Sequence, residues 1–392
     1  MKFIFLILMS FLQLNASVSI LNKKFVNYLD ISFSQGLNLM EDFSYGGGSL
    51  NSSLGFLYDL NTENSFLLNY SLSYNGPSIN YEKNSFLMER SINHSVMLEW
   101  QRKIAKSSRI RTHFFYGKDL KKSGAIGDFN DNLYNNNSKG FGIAFDKLGE
   151  FNHLSLYTYI RKIEFPNYTD LLLEFKNPSV QSETAGGLYD NNLYRIGLKF
   201  KHKNYFISLD YTIQNYISQK IIESHGIYGD DKQKDREIFI KLGIEKKISE
   251  FYIFPYTSFL VHLSNQNFLR FKSFTDLSPQ FIKNAYDYSE FKIALPTYFK
   301  LNTMDVNFSC EFKSRIYLDR PPRDEFNNYI LSKKQEDRVF SFNLNVSRKI
   351  NELASIIFYY TFLNSYSNND FDIYLPMNYT AHSIGIGYRI KY

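Results

Sequence analysis

Residues 304–313 read Met304-Asp305-Val306-Asn307-Phe308-Ser309-Cys310-Glu311-Phe312-Lys313, apolar at every even position and polar at every odd one. A period of two is the mark of a strand, because successive side chains point to opposite faces. The apolar face here is large and the polar face carries charge. Other stretches repeat the pattern. Phe66, Leu68, Tyr70, Leu72 and Tyr74 share one parity, with Asn69, Ser71 and Ser73 on the other. Ile92, Val96, Leu98 and Trp100 alternate with Asn93, Ser95 and Glu99. Ile207, Leu209, Tyr211 and Ile213 alternate with Ser208, Asp210 and Thr212, and Phe340 to Val346 with Ser341, Asn343 and Asn345.

The connections between these runs also alternate. Short ones fall at Asp59 to Asn64, Lys103 to Ser108, Leu148 to Glu150, Lys203-Asn204 and Ser249-Glu250. Long polar ones fall at Pro77 to Arg90, Lys118 to Asn137 and Gln214 to Lys234. A soluble sandwich has no reason to collect its long loops at one end, whereas a barrel whose ends face two compartments does. The fold expected is therefore all-β: a transmembrane antiparallel up-and-down β-barrel of about sixteen strands, within two, with long extracellular loops and short periplasmic turns. The first strand is expected near residue 24 and the last near residue 379. An even number of strands puts both termini on the periplasmic side of a bacterial outer membrane.

Composition agrees. Aromatic residues make up 18% of the chain, yet the mean hydropathy is −0.33. A barrel reconciles the two, because half of each strand meets lipid and half a polar interior. No 18-residue apolar run follows residue 16, so spanning helices are not expected. Met1-Lys2, the apolar run from Phe3 to Leu14, and Asn15-Ala16 read as a signal peptide over residues 1–16, leaving 17–392 as one barrel domain. The single cysteine, Cys310, excludes an internal disulfide. Tyr58, Tyr74, Trp100, Tyr116, Tyr216, Tyr252 and Tyr317 stand near run ends, where interfacial girdles are expected.

The chain ends Ile384-Gly385-Ile386-Gly387-Tyr388-Arg389-Ile390-Lys391-Tyr392. Gly387, Ile390 and the terminal Tyr392 resemble the C-terminal signal of outer-membrane barrels, which the barrel assembly machinery reads by strand pairing. Glu336-Asp337-Arg338 opens one late strand, Ser347-Arg348 closes it, and Asn364 to Asn368 leads toward the His382 strand. A similar charged opening occurs at Asp235-Arg236. This C-terminal third resembles the barrel portion of surface lipoprotein assembly modifiers and related tetratricopeptide-associated barrels. The helical repeats of those proteins have no counterpart before the first strand here. The resemblance implies an assembly or export role carried out with a separate periplasmic partner.

Opposite the apolar parity lie Glu99, Arg111, Arg161, Arg195, Lys199, Asp210, Glu237, Lys241, Glu311, Arg315 and Arg389. These are the candidate lumen lining, which would act either as a selectivity field or as ion-paired filling. Short helices are expected in two loops, at Leu171 to Phe175 and at Gln280 to Ala285. The segment Asp319-Arg320-Pro321-Pro322-Arg323-Asp324 reads as a stiff, charged loop, with solvation as the expectation and binding of a ligand or another surface molecule as the alternative. Asp128, Asn130 and Asn132 begin like a calcium loop, but Leu133 and Lys139 replace its glycine and closing glutamate. The histidines lack zinc spacing, and His225 with Asp230 and Asp231 forms no defined catalytic set. The expectation is thus a porin-like channel for passive diffusion of small hydrophilic solutes, without cofactor or enzymatic activity. The alternative is an assembly or export barrel for a surface lipoprotein or polymer. Expected partners are outer-membrane lipid, lipopolysaccharide, the barrel assembly machinery and a possible periplasmic or surface protein, with no nucleic acid.

Overall fold

The computed structural model is described for residues 25–40, 44–80, 85–87, 89–123, 129–130, 132–169, 186–224, 226–271, 279–371 and 377–392. Sixteen antiparallel strands form a closed barrel. They are β1 (Phe25–Met40), β2 (Ser44–Asp59), β3 (Asn64–Asn80), β4 (Glu89–Ala105), β5 (Ser108–Ser123), β6 (Asn136–Leu148), β7 (Asn152–Glu164) and β8 (Asn191–His202). The second half comprises β9 (Tyr205–Ile222), β10 (Tyr228–Ile244, continued by Lys246–Ile248), β11 (Phe251–Ile253 and Tyr256–Ser264) and β12 (Tyr288–Leu301). It ends with β13 (Met304–Tyr317), β14 (Glu336–Lys349), β15 (Ala354–Ser367) and β16 (Tyr379–Lys391). Each strand pairs with its sequence neighbour, and β16 returns to β1.

The expected alternation sets the two faces. Leu98, Leu209 and Ile386 are 43%, 38% and 59% exposed. Their row is continuous across neighbours: Leu68 faces Leu98, Leu98 faces Phe114, Phe114 faces Phe141, and Phe141 faces Ile160. An apolar belt of this extent is far larger than a water-soluble monomer exposes, and hydrocarbon is its natural solvent. Tyr58 and Tyr116 lie on that outer face, as girdle residues should. Tyr216 and Tyr317 do not. Tyr216 is buried among loop residues on the inner side, and the Tyr317 ring lies under Arg320.

The short turns sit at one end, where Lys203, Ser249 and Asn302 take positive φ of 49°, 54° and 55°. At the other end two expectations are corrected. Gln214 to Lys234 is not a long loop: β9 runs on to Ile222 and β10 starts at Tyr228, with bulges near Lys220. Tyr216, Ile217, Ile221 and Ile222 retain enough β-propensity to extend the hairpin despite the polar residues between them. Gln280 to Ala285 is not a helix either. Phe268–Phe271 pairs with Pro279–Ile282 in a small separate hairpin, which buries Leu269 and Ile282. The Leu171 to Phe175 segment lies outside the described residues.

The seam between β1 and β16 shows how tightly closure is specified. Ile31 faces Ile390, Phe33 faces Tyr388, and Ser34 faces Gly387. Tyr392 and Leu29 exchange backbone hydrogen bonds of 2.8 and 3.0 Å. Arg389 donates through Nε to Asp30 at 2.8 Å. A Cβ at Gly387 would meet the Phe33 carbonyl oxygen at 2.8 Å and the Ser34 Cβ at 3.2 Å. The Tyr359 ring occupies the space that side chains at Gly36 and Gly385 would need. Gly387→Val is therefore expected to destabilise the barrel by about 1–3 kcal/mol, as overpacking does. Urea unfolding in lipid, followed by the gel shift between folded and heated protein, measures the loss.

Candidate functional site: the inner wall and the loop vestibule

Every charged residue expected on the inner side shares the face opposite the apolar belt, and the structure divides them into two groups. In the first group, charges are neutralised within the wall. Asp146, with no exposed side-chain surface, accepts from Arg109 at 2.8 Å and Arg111 at 2.7 Å, and Glu99 lies 3.6 Å from Arg111. Arg315 pairs with Glu290 at 2.7 Å, Glu311 with Lys292 at 2.7 Å, and Arg389 with Asp30. Glu237 lies 3.9 Å from His262, a contact that cancels its charge only when the imidazole is protonated. Asp146 and Glu290 were not anticipated, because neither is recognisable as a partner until strands are in register.

The second group has cations over aromatic faces, and among the described residues none of them forms an ion pair. Arg161 lies over Phe115 (4.9 Å) and donates to the Ser138 hydroxyl. Arg195 lies over Tyr159 (6.0 Å) and donates to the Thr212 hydroxyl. Lys199 lies over Tyr157 (5.3 Å) and Lys241 over Tyr256 (3.8 Å). The carboxylate of Asp210, between these strands, accepts the Tyr157 hydroxyl. Ring quadrupoles favour a cation above them, which holds these side chains in place without cancelling their charge.

Register reveals a feature that no single strand shows. Ser155 faces Lys199, Lys199 faces Ser208, and Ser208 faces Lys241. Lys241 faces Ser258, Ser258 faces Lys292, and Lys292 faces Lys313. One cross-strand row thus carries lysines from β8, β10, β12 and β13, with small hydroxyl residues on β7, β9 and β11. Lys292 and Lys313 were absent from the sequence expectation. Their parity beside Phe291, Ile293 and Phe312 pointed inward, but only register aligns them with Lys199 and Lys241.

The long-loop end is held by repeated side-chain clamps. The residue immediately before a returning strand accepts the backbone N–H near the end of the outgoing one. The pairs are Lys121 to Asn135 (2.7 Å), Phe165 to Asp190 (2.6 Å), Ser264 to Asp287 (2.6 Å) and Ser367 to Asn378 (2.7 Å). A second device occurs twice. The Ser264 hydroxyl donates to Asp235 at 2.6 Å, as Ser367 does to Asp337. Gln233 and Gln335 each donate to the aspartate two residues on, at 3.2 and 3.1 Å. Asn265 accepts from Lys234 N–H at 2.7 Å, and Asn368 from Glu336 N–H at 2.9 Å. The charged pairs Asp235-Arg236, inside β10, and Asp337-Arg338, at the start of β14, are thus two copies of one clasp.

Around the first clasp is a cavity of about 620 Å³, lined by Tyr189, Tyr216, Tyr286, Gln233, Gln266 and Asp235 among others. That volume lies within the about 300–1,000 Å³ usual for small-molecule sites. Burial raises the Tyr189 phenol and pushes Tyr286 up to about 12, so both are neutral at physiological pH. Tyr168 stacks on Tyr189 at 4.7 Å, and Tyr189 leans on Tyr216 at 4.9 Å.

The Asp319 to Asp324 segment is not a solvated loop. Pro322 is fully buried, and Ile330 N–H donates to the Pro322 carbonyl at 2.9 Å. Arg323 N–H donates to Asn369 at 2.9 Å, and Asp370 N–H to the Arg323 carbonyl at 2.8 Å. Two prolines limit the cost of ordering the segment, and the aromatic residues around it supply a surface to pack on. His225 and Asp128 lie outside the described residues, while Asp230 is exposed and lies 3.9 Å from Lys220.

No protein-family model and no curated protein matches the sequence. Solved structures of similar shape include outer-membrane proteins. CdiB from Acinetobacter baumannii is 9% identical with a TM-score of 0.50, and the match covers 93% of this chain and 60% of that one. OmpT, an outer membrane protein of Vibrio cholerae, is 11% identical with a TM-score of 0.48, over 94% and 97% of the two chains. A bacterial polysaccharide outer membrane secretin is 7% identical with a TM-score of 0.46, over 94% and 98%. The chain has an outer-membrane β-barrel fold. The expectation that it lacks enzymatic activity is withdrawn, because an outer-membrane barrel fold neither assigns nor excludes catalysis.

Burial raises the Asp287 carboxyl above its ordinary 3.8, opposed by the Ser264 N–H and reinforced by Asp319. A raised native value means the folded loop binds the proton more tightly than the unfolded chain. Its contribution is therefore greatest below pH 3.8 and is lost as pH rises through the native value. Asp287→Asn keeps an acceptor for Ser264 and removes the charge, so it should flatten this pH dependence. Asp287→Ala removes the clamp and should cost about 1–3 kcal/mol locally. Hydrogen exchange of the Ser264 amide across pH distinguishes the two variants.

Proposed function

We propose that this protein is a channel of the bacterial outer membrane through which small hydrophilic solutes diffuse, with anionic solutes favoured. The observation that carries this reading is the lysine row on the inner wall. Lys199 and Lys241 rest on aromatic rings rather than on carboxylates, so their fields reach the enclosed space. A barrel of this strand number is wide enough for an aqueous path, and charge on its wall biases which ions enter. The paired set around Asp146 has a different role: it stiffens the wall, and Arg111 belongs there rather than with the selectivity residues.

In this reading residues 1–16 direct export and both termini face the periplasm. Gly387, Ile390 and Tyr392 present the closing strand to the barrel assembly machinery, while lipid and lipopolysaccharide surround the apolar belt. The clasped loops form an outer vestibule that solutes cross before meeting the lysines.

Planar-bilayer recording tests the proposal. The wild-type protein should give stepwise conductance with a reversal potential displaced toward anions in a salt gradient. Replacing Lys199 and Lys241 together by Gln should lower the anion-to-cation permeability ratio severalfold while steps persist. The reading is rejected by absence of steps in folded protein, or by an unchanged ratio in the double variant.

A further inference from the structure

The loops carry a second cationic cluster, separate from the wall. Arg270 stands on the small hairpin, and Arg320 and Arg323 stand on the segment after β13. Arg270 donates through Nη2 to the Asn327 carbonyl at 2.7 Å and through Nη1 to its side-chain oxygen. Arg323 donates through Nη1 to that same side-chain oxygen at 3.1 Å. Two guanidinium groups therefore converge on one neutral amide. Arg320 lies over Tyr317 at 5.0 Å and over Phe268 at 6.0 Å, two residues before Arg270 on the same strand. Arg270 lies over Tyr329 at 4.4 Å and Arg323 over Phe371 at 4.7 Å.

Among the described residues no carboxylate lies within ion-pair distance of any of the three. The Arg270 Nε is buried and has no hydrogen-bond partner. Partly buried guanidinium groups are ordinarily matched by anions, because removing the charge from water costs far more than an amide contact returns. Burial lowers the pKa of Arg270, opposed by the Tyr329 hydroxyl beside it, and burial with the neighbouring Arg270 lowers that of Arg323. Among the described residues the arrangement has rigid aromatic supports, fixed forks and an orphaned donor, but no counter-charge.

We propose that Arg270, Arg320 and Arg323 form a binding site for an oxyanion, a phosphate group above all. Guanidinium forks match the geometry of phosphate oxygens bidentately, and an anion here would compensate all three charges at once. The phosphate can belong to a free solute or to the head of a lipopolysaccharide. The site does not depend on conduction through the barrel.

Isothermal titration of the full folded chain in detergent provides the test, with inorganic phosphate as one probe and diphosphorylated lipid A as the other. Arg270→Gln and Arg323→Gln are compared with wild type and with the Lys199→Gln/Lys241→Gln double variant. Folding of each variant is checked by its gel shift on heating. Saturable uptake of either probe is expected. It should weaken about tenfold or more in each arginine variant, as loss of a charge-assisted bond implies, and stay unchanged in the lysine variant. The probe that binds identifies the source of the phosphate. The proposal is overturned if neither probe binds, if binding survives both arginine substitutions, or if it is lost only with the lysines.

Discussion

Backbone hydrogen bonding that leaves no free edge is the constraint on which the structure depends. In hydrocarbon an unpaired amide has no water to turn to, so a sheet crosses the membrane only if its last strand meets its first. Here that meeting is between β1 and β16, where register, a cross-seam ion pair and glycine contacts all specify the same alignment. A slip of one residue would turn Ile386 and Tyr388 inward and Arg389 toward lipid. The penalty for such a slip makes the seam a definite structure rather than one of several possible closures.

Closure also converts alternation into compartments. In an open sheet the two parities are merely two faces. Once the sheet is closed, one faces lipid and the other an enclosed volume, and charge on the second acquires consequences. The wall uses that charge in two ways. Around Asp146, and at Lys292 beside Glu311, it is cancelled within bonded pairs, while at Lys199 and Lys241 it is supported by aromatic rings. Electrostatic character is thus set by which charges find partners across strands, and the modest net charge of +6 gives no hint of the division.

Much of the fold was legible because the lipid boundary imposes a period of two on every strand. The runs at Leu98, Leu209 and Ile386 carried it plainly, and the first and last strands start at Phe25 and Tyr379, against the expected 24 and 379. Errors fall where that boundary does not reach. Gln214 to Lys234 looked like loop because, beyond the membrane, a paired strand is free to be polar on both faces. Gln280 to Ala285 carried a local helix signal, which pairing with Phe268–Phe271 overrode. The candidate wall residues were found by parity. Lys292 and Lys313 were missed because alignment across strands is a property of six neighbours together. The arginine cluster was illegible for a similar reason: Arg270 and Arg323 are 53 positions apart and meet only through Asn327.

The geometry of the lysine row has a consequence for any ion that passes it. Strands in such barrels lean by about 35–45° from the axis, so residues paired across strands climb as they go round. The ammonium groups consequently stand on a spiral staircase instead of in a ring. In the channel proposed above, a solute descending the axis would be handed between Lys241 and Lys199, past the ion-paired Lys292 and the buried Lys313, each step a shallow foothold. Weak successive holds of this kind let a pore discriminate by charge without slowing to the pace of a tight binder.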